Sequence, residues 1–497
     1  MNRTPDSNQD NFDLVEPLAP ALLESLRAFG YNIQTAIADL IDNSISAEAK
    51  SVWLDFYWDG ADSYISLLDD GTGMTEPELI NAMRPGSRSP LEERDEKDLG
   101  RFGLGLKTAS FSQCRRLTVY SKTLDSSAVT RCWDLDYVNR TGQWRLLRQA
   151  ASGSESRLSR LDKIQNGTLV LWECMDRVVG DRKTDDRKAH NDFLSMVERI
   201  ERHLSMVFHR FLERRSKLKL WINDREIEPW NPFMTDEKAT QWLQEENLVF
   251  RGNKVLVQPY VLPHHSKVDP QIYKQAAGVN GWNAQQGFYI YRNERMLVAG
   301  DWLGLGLQRE EHCKLARIQV DLPNSMDSEW SIDVKKSKAR PPASLKDDLR
   351  RIASLTRGAA TKIYRYRGKV IARQSSEDFV FPWLKKVKHG KVFYSINPEH
   401  PLVKEVLALP KEYYPPVKAL LRLIEETVPV QQIWIDSTEN SEQHSQPFEG
   451  VATKEVMEVL SQIYQALLKN GLSENEAKKC LKLMEPFQHF EALMDSL

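Results

Sequence analysis

Three short segments of the chain combine acidic, amide and glycine residues in an order that suits chemistry on phosphate groups. They are residues 38–43 (ADLIDN), 69–74 (DDGTGM) and 100–105 (GRFGLG). Each segment alone is a weak signal, because acidic-glycine turns and short glycine-rich loops are common. A solvated helix face, a hairpin turn and a flexible loop would explain them singly. Their shared order and spacing make a nucleotide site the better interpretation.

The first segment offers groups that could support hydrolysis. Asp39 and Asn43 are four residues apart on a predicted helix, so they project from one face about one turn apart. The Asp39 carboxylate could act as a general base on a water that attacks a terminal phosphate. The Asn43 amide oxygen could bind Mg²⁺. We interpret Asp42 as a solvent-facing or structural neighbour.

The second and third segments suit the two ends of a nucleotide. A carboxylate at the end of a predicted strand can accept a hydrogen bond from the amino group of adenine, and the glycines after it let the backbone pass close to the base. The third segment precedes a predicted helix, whose free N–H groups would face phosphates, with a lysine adding positive charge. The residues assigned to nucleotide binding here are Asp69, Gly71, Gly73, Met74, Gly100, Gly103, Gly105 and Lys107.

Hydrophobic periodicity predicts the elements that position these segments. We expect an amphipathic helix over residues 22–47 with a break near Gly30, and a mobile, lid-like loop over residues 75–99. The chain is predicted to be an α+β protein. The predicted strands are residues 51–58, 64–68, 116–120, 129–135, 144–147, 168–172 and 218–222. A helix over residues 188–214, a strand-rich segment over 248–334 and a helix over 344–373 complete the pattern.

The segments resemble the motifs of the GHKL ATPase superfamily, which includes gyrase B, the large heat-shock chaperones, sensor histidine kinases and MutL. Residues 166–172 (NGTLVLW) resemble a later Gly-Thr motif, in which a threonine, here Thr168, helps the Asp69 position to hold adenine. The resemblance implies ATP and Mg²⁺ as ligands, with Asn43 binding the metal. The segments most similar to MORC ATPases and their prokaryotic relatives are residues 38–43, 103–110 and 203–209.

The same resemblance implies a domain arrangement. It predicts a Bergerat-fold ATPase sandwich, then a transducer-like (ribosomal S5-like) α/β domain and a small helical C-terminal region. We expect the ATP-binding domain at residues 1–230, the transducer-like domain at 240–375, a basic and helical extension at 376–436 and a C-terminal helical element at 451–497.

Two features bear on the GHL branch of this superfamily. That branch usually has a glutamate where this chain has Asp39, which is shorter by roughly 1.5 Å, so we expect slow hydrolysis with little effect on ATP binding. Residues 331–338 (SIDVKKSK) look like the transducer segment in which a lysine touches the γ-phosphate. We assign that catalytic role to Lys338, with Lys335 and Lys336 as alternatives and a surface role for all three as the remaining possibility. In the GHL branch this contact couples ATP binding to closure of a dimer.

Composition narrows the class of protein. Hydrophobic residues make up 41% and charged residues 28% of the chain, and no long apolar run suggests a membrane span. The polar, acidic residues 1–13 are unlike a signal peptide, so we expect a cytoplasmic location. The five cysteines are odd in number and far apart, which argues against a disulfide framework and a zinc cluster. We expect them to be buried thiols.

Charge suggests a partner. Between Lys335 and Lys391 there are seventeen Lys and Arg residues against four Asp and Glu, in a chain of net charge -2, with aromatic residues nearby. Such a segment could follow a DNA backbone, because phosphate neutralisation supplies most of the affinity. A solvated helix face is the alternative interpretation.

The leading hypothesis is a GHL ATPase that forms a homodimer on ATP binding and acts as a clamp on DNA, in prokaryotic DNA repair or antiviral and other foreign-DNA defence. The alternative is a chaperone-like scaffold in which ATP binding arranges a protein partner without DNA. The region after residue 376 is short and has no acidic metal-binding pattern, so we expect no nuclease activity in this chain. A partner nuclease or another protein of the same operon would perform any cleavage.

Overall fold

The computed structural model describes residues 17–28, 30–86, 105–213, 218–327, 329–332, 339–366, 382–388, 391–408, 410, 414–430, 448, 453–469, 471–483, 487 and 493. The chain divides into two compact units. Unit 1 comprises residues 1–309 and 314–358, and unit 2 comprises residues 310–313 and 359–497. The predicted α+β class is confirmed.

A seven-stranded sheet in unit 1, here the first sheet, carries two of the motifs. Its strands are β1 (Ser51–Tyr57), β2 (Tyr64–Asp69), β3 (Arg116–Lys122), β4 (Val129–Asp134), β5 (Gly167–Glu173), β6 (Lys219–Ile222) and β7 (Arg225–Glu226). Their spatial order is β4-β3-β5-β2-β1-β6-β7, with β1 and β6 parallel and the other pairs antiparallel. The register of β2 and β5 places Asp69 opposite Thr168. Two motifs that are distant in sequence therefore meet at the end of one strand pair.

Helices pack against this sheet. They are α1 (Ala19–Arg27), α2 (Ile33–Ser46), α3 (Glu76–Met83), α4 (Gly105–Phe111), α5 (Leu135–Thr141), α6 (Glu155–Leu158), α7 (Arg187–Val207) and α8 (His209–Glu213). Ile37 of α2 and Ile200 of α7 share one apolar core with Leu54 and Leu67 of the sheet. On the opposite face of the sheet, Leu68 of β2 and Leu169 and Leu171 of β5 form a smaller core with Leu158 of α6. The first sheet is thus packed on both faces.

The predicted break near Gly30 separates α1 from α2. Gly30 has a left-handed backbone, with a φ of 65°, and α2 then begins behind Asn32. The Asn32 side chain accepts a hydrogen bond from the N–H of Thr35 at 2.8 Å, which caps the helix. Apolar residues at helical spacing, including Ile37 and Ile41, bury one side of α2.

Two local predictions were wrong. Residues 76–83, expected as loop, form α3, because Thr75 and Glu78 make a reciprocal capping box and Leu79 is buried. Residues 144–147, expected as a strand, make only one bridge, between Leu147 and Cys132. The rest of the predicted lid, residues 87–99, lies outside the described residues.

A second sheet in unit 1 follows the first. Its strands are β8 (Gln241–Trp242), β9 (Glu246–Phe250), β10 (Asn253–Val261), β11 (Gly287–Arg292), β12 (Arg295–Asp301) and β13 (Ala316–Leu322). The order is β12-β11-β13-β10-β8, with β9 also pairing β10; β11 and β13 are parallel and the other pairs antiparallel. The accompanying helices are α9 (Pro270–Ala276), α10 (Gly281–Ala284) and α11 (Lys346–Tyr366). The division between the two units falls within α11.

The described residues of unit 2 include a hairpin and four further helices. They are β14 (Trp383–Lys388), β15 (Lys391–Ile396), α12 (Pro401–Leu407), α13 (Tyr414–Glu426), α14 (Thr453–Lys469) and α15 (Glu474–Leu483). Val456, Leu460, Ile463 and Leu467, on one face of α14, are buried in one core with Leu481 of α15, and Leu468 is partly buried against it. That face serves a small packed core within this unit.

None of the helices in the described part of the chain is both long and apolar enough to cross a membrane. All five cysteines are free thiols. Cys114, Cys132 and Cys313 are buried as expected, whereas Cys174 and Cys480 are partly exposed.

Candidate functional site

Asp69, at the end of β2, is buried and accepts hydrogen bonds from three neutral donors. Its Oδ1 accepts hydrogen bonds from the N–H groups of Gly71 at 3.0 Å and Thr168 at 3.3 Å, and its Oδ2 accepts one from Ser44 Oγ at 2.8 Å. Burial raises the pKa of Asp69 from 3.8 to about 6, against the opposing effect of these donors. An ionised carboxylate has about four acceptor sites, so Oδ2 retains capacity for one more donor.

Glycine is required where the turn passes the strand pair. Gly73 has a φ of 71°, and a Cβ there would lie 2.0 Å from the carbonyl oxygen of Lys122. Gly167 has a φ of 147°, and a Cβ there would lie 2.0 Å from the carbonyl oxygen of Asp69. The two glycines therefore allow three backbone segments to approach more closely than side chains would permit.

Ser121 of β3 joins the later motif to the turn. Its Oγ lies 2.8 Å from Thr168 Oγ1, and it accepts a hydrogen bond from the N–H of Met74 at 2.8 Å. Asp69, Met74 and Thr168 are thereby held in one cluster of hydrogen bonds at the edge of β2, β3 and β5.

Asp39 and Asn43 occupy different environments on α2. Asp39 is buried, and its Oδ2 accepts a hydrogen bond from Tyr31 Oη at 2.9 Å. A Cβ on Gly105 would lie 3.8 Å from the same oxygen, so the start of α4 passes beside this carboxylate. The Asn43 side chain is exposed. Asp39 and Asn43 therefore lie one turn apart on α2, and Gly105 lies beside Asp39. Their roles at a nucleotide site stay predictions.

Lys107 of α4 makes a contact that the sequence did not predict. Its side chain is buried, and its Nζ donates a hydrogen bond to the carbonyl oxygen of Ala82 at 2.9 Å, at the end of α3. Burial lowers the pKa of Lys107 to about 8. The lysine thus joins the two helices that flank residues 87–104. Its contact with a phosphate stays a prediction.

Several predicted site residues lie outside the described part of the chain. They are Gly100 and Gly103 of the glycine-rich segment and the three candidate lysines Lys335, Lys336 and Lys338. Their assignments stay predictions.

Comparison with known proteins identifies the region that contains this geometry. Residues 31–168 match the family described as histidine kinase-, DNA gyrase B- and HSP90-like ATPase. The chain carries a GHKL-type ATPase domain. Within the domain lie the three segments and Thr168.

The chain is also similar to curated proteins of two kinds. ATPase morc-1 of Caenorhabditis elegans is 30% identical over 119 residues, which are 24% of this chain and 14% of that protein. The DNA mismatch repair protein MutL of Dictyoglomus turgidum is 33% identical over 93 residues, which are 18% of this chain and 16% of that protein. The matches thus span less than a fifth of either relative. They confirm the resemblance to MORC-type and MutL-type ATPases.

Sequence reasoning missed the polar residues that support the motifs. Tyr31 holds Asp39, Ser44 holds Asp69, and Ser121 holds Thr168. Ser44 directly follows the first segment, so its helical position could have suggested a role. Nothing near Tyr31 or Ser121 in the sequence indicates theirs, because each contact depends on how the GHKL domain packs.

Asp42 was left as either solvent-facing or structural, and the structure decides the matter. Its carboxylate is buried, and Oδ1 accepts a hydrogen bond from Arg295 Nε of β12 at 2.9 Å. The residue is therefore a structural neighbour of the site and connects the GHKL domain to the second sheet.

The residues present fit ATP and Mg²⁺. Asn43 provides an exposed amide oxygen, a hard ligand suited to Mg²⁺. Position 71, in the turn after Asp69, has no room for a side chain, because a Cβ on Gly71 would lie 2.8 Å from the carbonyl oxygen of Ala47. Asp69 Oδ2 accepts a hydrogen bond from the Ser44 hydroxyl and has capacity for the amino group of adenine, so the chemistry of both ends of the site suits a nucleotide.

Proposed function

We propose that this chain binds ATP with Mg²⁺ and hydrolyses it slowly. The observation that carries the proposal is the arrangement around Asp69, a buried carboxylate with three neutral donors and one free acceptor position. The amino group of adenine supplies the missing donor. The match of residues 31–168 to an ATPase family also supports ATP as the substrate.

Asp39 is proposed as the general base. A bound ATP–Mg²⁺ supplies the electrophilic γ-phosphate, and Asn43 would hold the metal. Tyr31 donates its hydroxyl hydrogen bond to Asp39 Oδ2, which orients the carboxylate that would take a proton from water. The aspartate is shorter than the glutamate usual in the GHL branch, so a low rate is expected.

ATP binding is proposed to close a homodimer of this chain as a clamp. Similarity to MORC-type and MutL-type ATPases supports dimerisation on ATP binding, with Lys338 reaching the γ-phosphate. The relative described as a DNA mismatch repair protein supports DNA as the object of the clamp, in prokaryotic DNA repair or defence against foreign DNA.

The hairpin of unit 2 favours a DNA partner, whereas part of α11 does not. Trp383, Phe393 and Tyr394 expose 40%, 39% and 46% of their surface on β14 and β15, where aromatic rings could stack on bases. In contrast, Arg350 pairs with Asp347 at 2.9 Å, so some positive charge of the basic segment is neutralised within unit 1. DNA contacts are therefore proposed for the hairpin before the helix.

A protein scaffold without DNA binding is the second candidate. It would use the same ATP site to arrange a protein partner. The absence of salt-dependent DNA binding would favour it. The two candidates differ in one readout, the effect of DNA on the ATPase rate.

The decisive experiment is the mass in solution, measured by light scattering with and without a non-hydrolysable ATP analogue and Mg²⁺. The wild type should shift from monomer to dimer, and Asn43→Ala and Lys338→Ala should not. Direct binding of a fluorescent analogue controls for occupancy. A monomer with nucleotide bound would remove the clamp and leave the ATP site standing, and absence of binding would remove both.

A further inference from the structure

The hairpin of β11 and β12 projects a cation into the GHKL domain. Its two-residue turn, Asn293 and Glu294, has φ values of 46° and 67°, the left-handed conformation that asparagine tolerates best among residues with a Cβ. Arg292 and Arg295 are paired in the register directly beside that turn. A tight turn of this type fixes where the Arg295 side chain can go.

Arg295 ends beside the helix that carries the catalytic candidates. Its Nε donates to Asp42 Oδ1 at 2.9 Å, and the two side chains are 4% and 1% exposed. Its guanidinium also lies 4.7 Å from the centre of the Phe208 ring, between α7 and α8. His203 of α7 is close enough for Arg295 to help burial lower the pKa of that histidine to about 3, so the imidazole is neutral. Asp42 therefore faces the cation, and His203 adds no competing charge.

Two further contacts attach the same sheet to α8. His209 Nε2 lies 2.8 Å from Tyr291 Oη of β11. Arg210 pairs with Asp321 of β13, and its guanidinium lies 3.6 Å from the centre of the Tyr291 ring. The second sheet is thus held by several contacts, and the one from Arg295 ends on Asp42, within the first nucleotide segment.

A gain in stability does not by itself explain the buried ion pair of Asp42 and Arg295. Replacing a buried ion pair by apolar residues of similar size is often neutral or stabilising, because desolvation offsets the attraction. Its geometry is more informative. Asp42 lies three residues after Asp39 and directly before Asn43, so on a rigid helix any shift of these residues also moves Asp42.

We propose that Asp42 and Arg295 are positioning residues that couple the nucleotide site to the second sheet. When nucleotide and metal draw Asn43 and Asp39 into place, α2 carries Asp42, and the buried pair transmits that displacement to the β11–β12 hairpin. The route is separate from the proposed lysine contact of residues 333–338. The inference rests on the proposed function, since it requires a nucleotide at α2.

The test is hydrogen exchange of residues 287–301 in the full chain, with and without a non-hydrolysable ATP analogue and Mg²⁺. In the wild type, nucleotide should slow exchange of the hairpin by about fivefold or more, the lower range of measured couplings between sites. The double variant Asp42→Asn with Arg295→Met should bind the fluorescent analogue with similar affinity but lose this response. Removing both charges avoids leaving one of them buried alone.

A matched control exists in the same sheet. Arg292 and Asp327 form another buried pair, with side chains 3% and 11% exposed, and both residues lie outside the nucleotide motifs. The double variant Asp327→Asn with Arg292→Met should keep the response of the hairpin. If the Asp42 variant does not fold, Arg295→Lys keeps the charge but loses the planar fork, and a reduced response with unchanged nucleotide affinity would support the inference.

Three results would overturn it, and they are distinguishable. A full hairpin response in the Asp42 and Arg295 variants would exclude this route while the ATP site stands. A wild-type hairpin that ignores bound nucleotide would do the same. A wild type that fails to bind the fluorescent analogue would overturn the proposed function together with the inference.

Discussion

Asp69 and Asp42, two buried carboxylates of the GHKL domain, differ in what surrounds them. Asp69 has three neutral donors, from Ser44, Gly71 and Thr168, and burial raises its pKa to about 6. Asp42 has a guanidinium, from Arg295, in direct contact. Both are polar groups that the core could not hold without partners.

The difference teaches what each carboxylate can do. Neutral donors leave the charge of Asp69 uncompensated, so a further donor from a ligand gains an unusually strong hydrogen bond. A paired cation leaves Asp42 little to offer a ligand, but it ties α2 to another sheet. We therefore associate the first with recognition and the second with position.

Asp39 offers the sharpest way to test this contrast, because it accepts a hydrogen bond from a neutral donor, Tyr31, and is proposed to act on water. Asp39→Asn keeps an acceptor for Tyr31 but removes the base, so we expect kcat to fall by about 10²- to 10⁴-fold with ATP affinity nearly unchanged. Phosphate release and binding of a fluorescent analogue measure the two quantities. Tyr31→Phe is the control and should give a smaller loss. Unchanged kcat in Asp39→Asn would place the base elsewhere.

Changes at Asp42 should have the largest effect on the free energy of unfolding. Asp42→Ala leaves Arg295 buried without its carboxylate, so the free energy of unfolding should fall by about 3–5 kcal/mol. Denaturant unfolding of the single variant measures this. Asp42→Leu with Arg295→Met should recover most of the loss, because no charge stays buried. A small effect of Asp42→Ala would mean that water reaches Arg295, and the contrast with Asp69 would weaken.

The sequence predicted the parts of this site that depend on local order. Helical spacing placed Asp39 and Asn43 together on α2, and the strand ending at Asp69 was correct to one residue. The Gly-Thr motif was found through resemblance, and β2 and β5 then brought Thr168 opposite Asp69. Short-range periodicity and turn chemistry suffice for such features.

Contacts across the fold could not be predicted in the same way. Asp42 and Arg295 are 253 positions apart, and nothing in the periodicity of either element indicates the other. Lys107 reaches Ala82 because α3 forms, and α3 was missed since an eight-residue helix carries little periodic signal against the surrounding turn residues. Such features depend on packing, which a single sequence does not encode locally.

Titration of Asp69 provides a third test, of intermediate size. Its pKa is raised from 3.8 to about 6 in the folded chain, so its contribution to stability is fully present below pH 4 and is lost as pH rises through 6. Adenine needs the ionised carboxylate, so ATP affinity should change in the opposite direction. We expect binding to weaken by about tenfold between pH 7.5 and pH 5.

Calorimetric titration with ATP–Mg²⁺ across that range measures the effect. Asp69→Asn is the control for protonation of the phosphates themselves, because it removes the carboxylate and leaves the ligand unchanged. The wild type should lose more affinity than this variant as the pH falls. Parallel profiles would mean that Asp69 does not accept a hydrogen bond from the base.

Lys107 is expected to give the smallest change in ATP affinity. It tests whether a buried cation can both hold the structure of the site and contact the nucleotide. Lys107→Met removes the hydrogen bond to Ala82, which should lower the free energy of unfolding by about 1–3 kcal/mol. If the lysine also serves the phosphates, ATP affinity should fall by several-fold as well. We expect both changes, because its pKa of about 8 keeps it mostly charged at neutral pH. Lower stability with unchanged ATP affinity would restrict Lys107 to holding α3, and would group it with Asp42 among the residues that position the site.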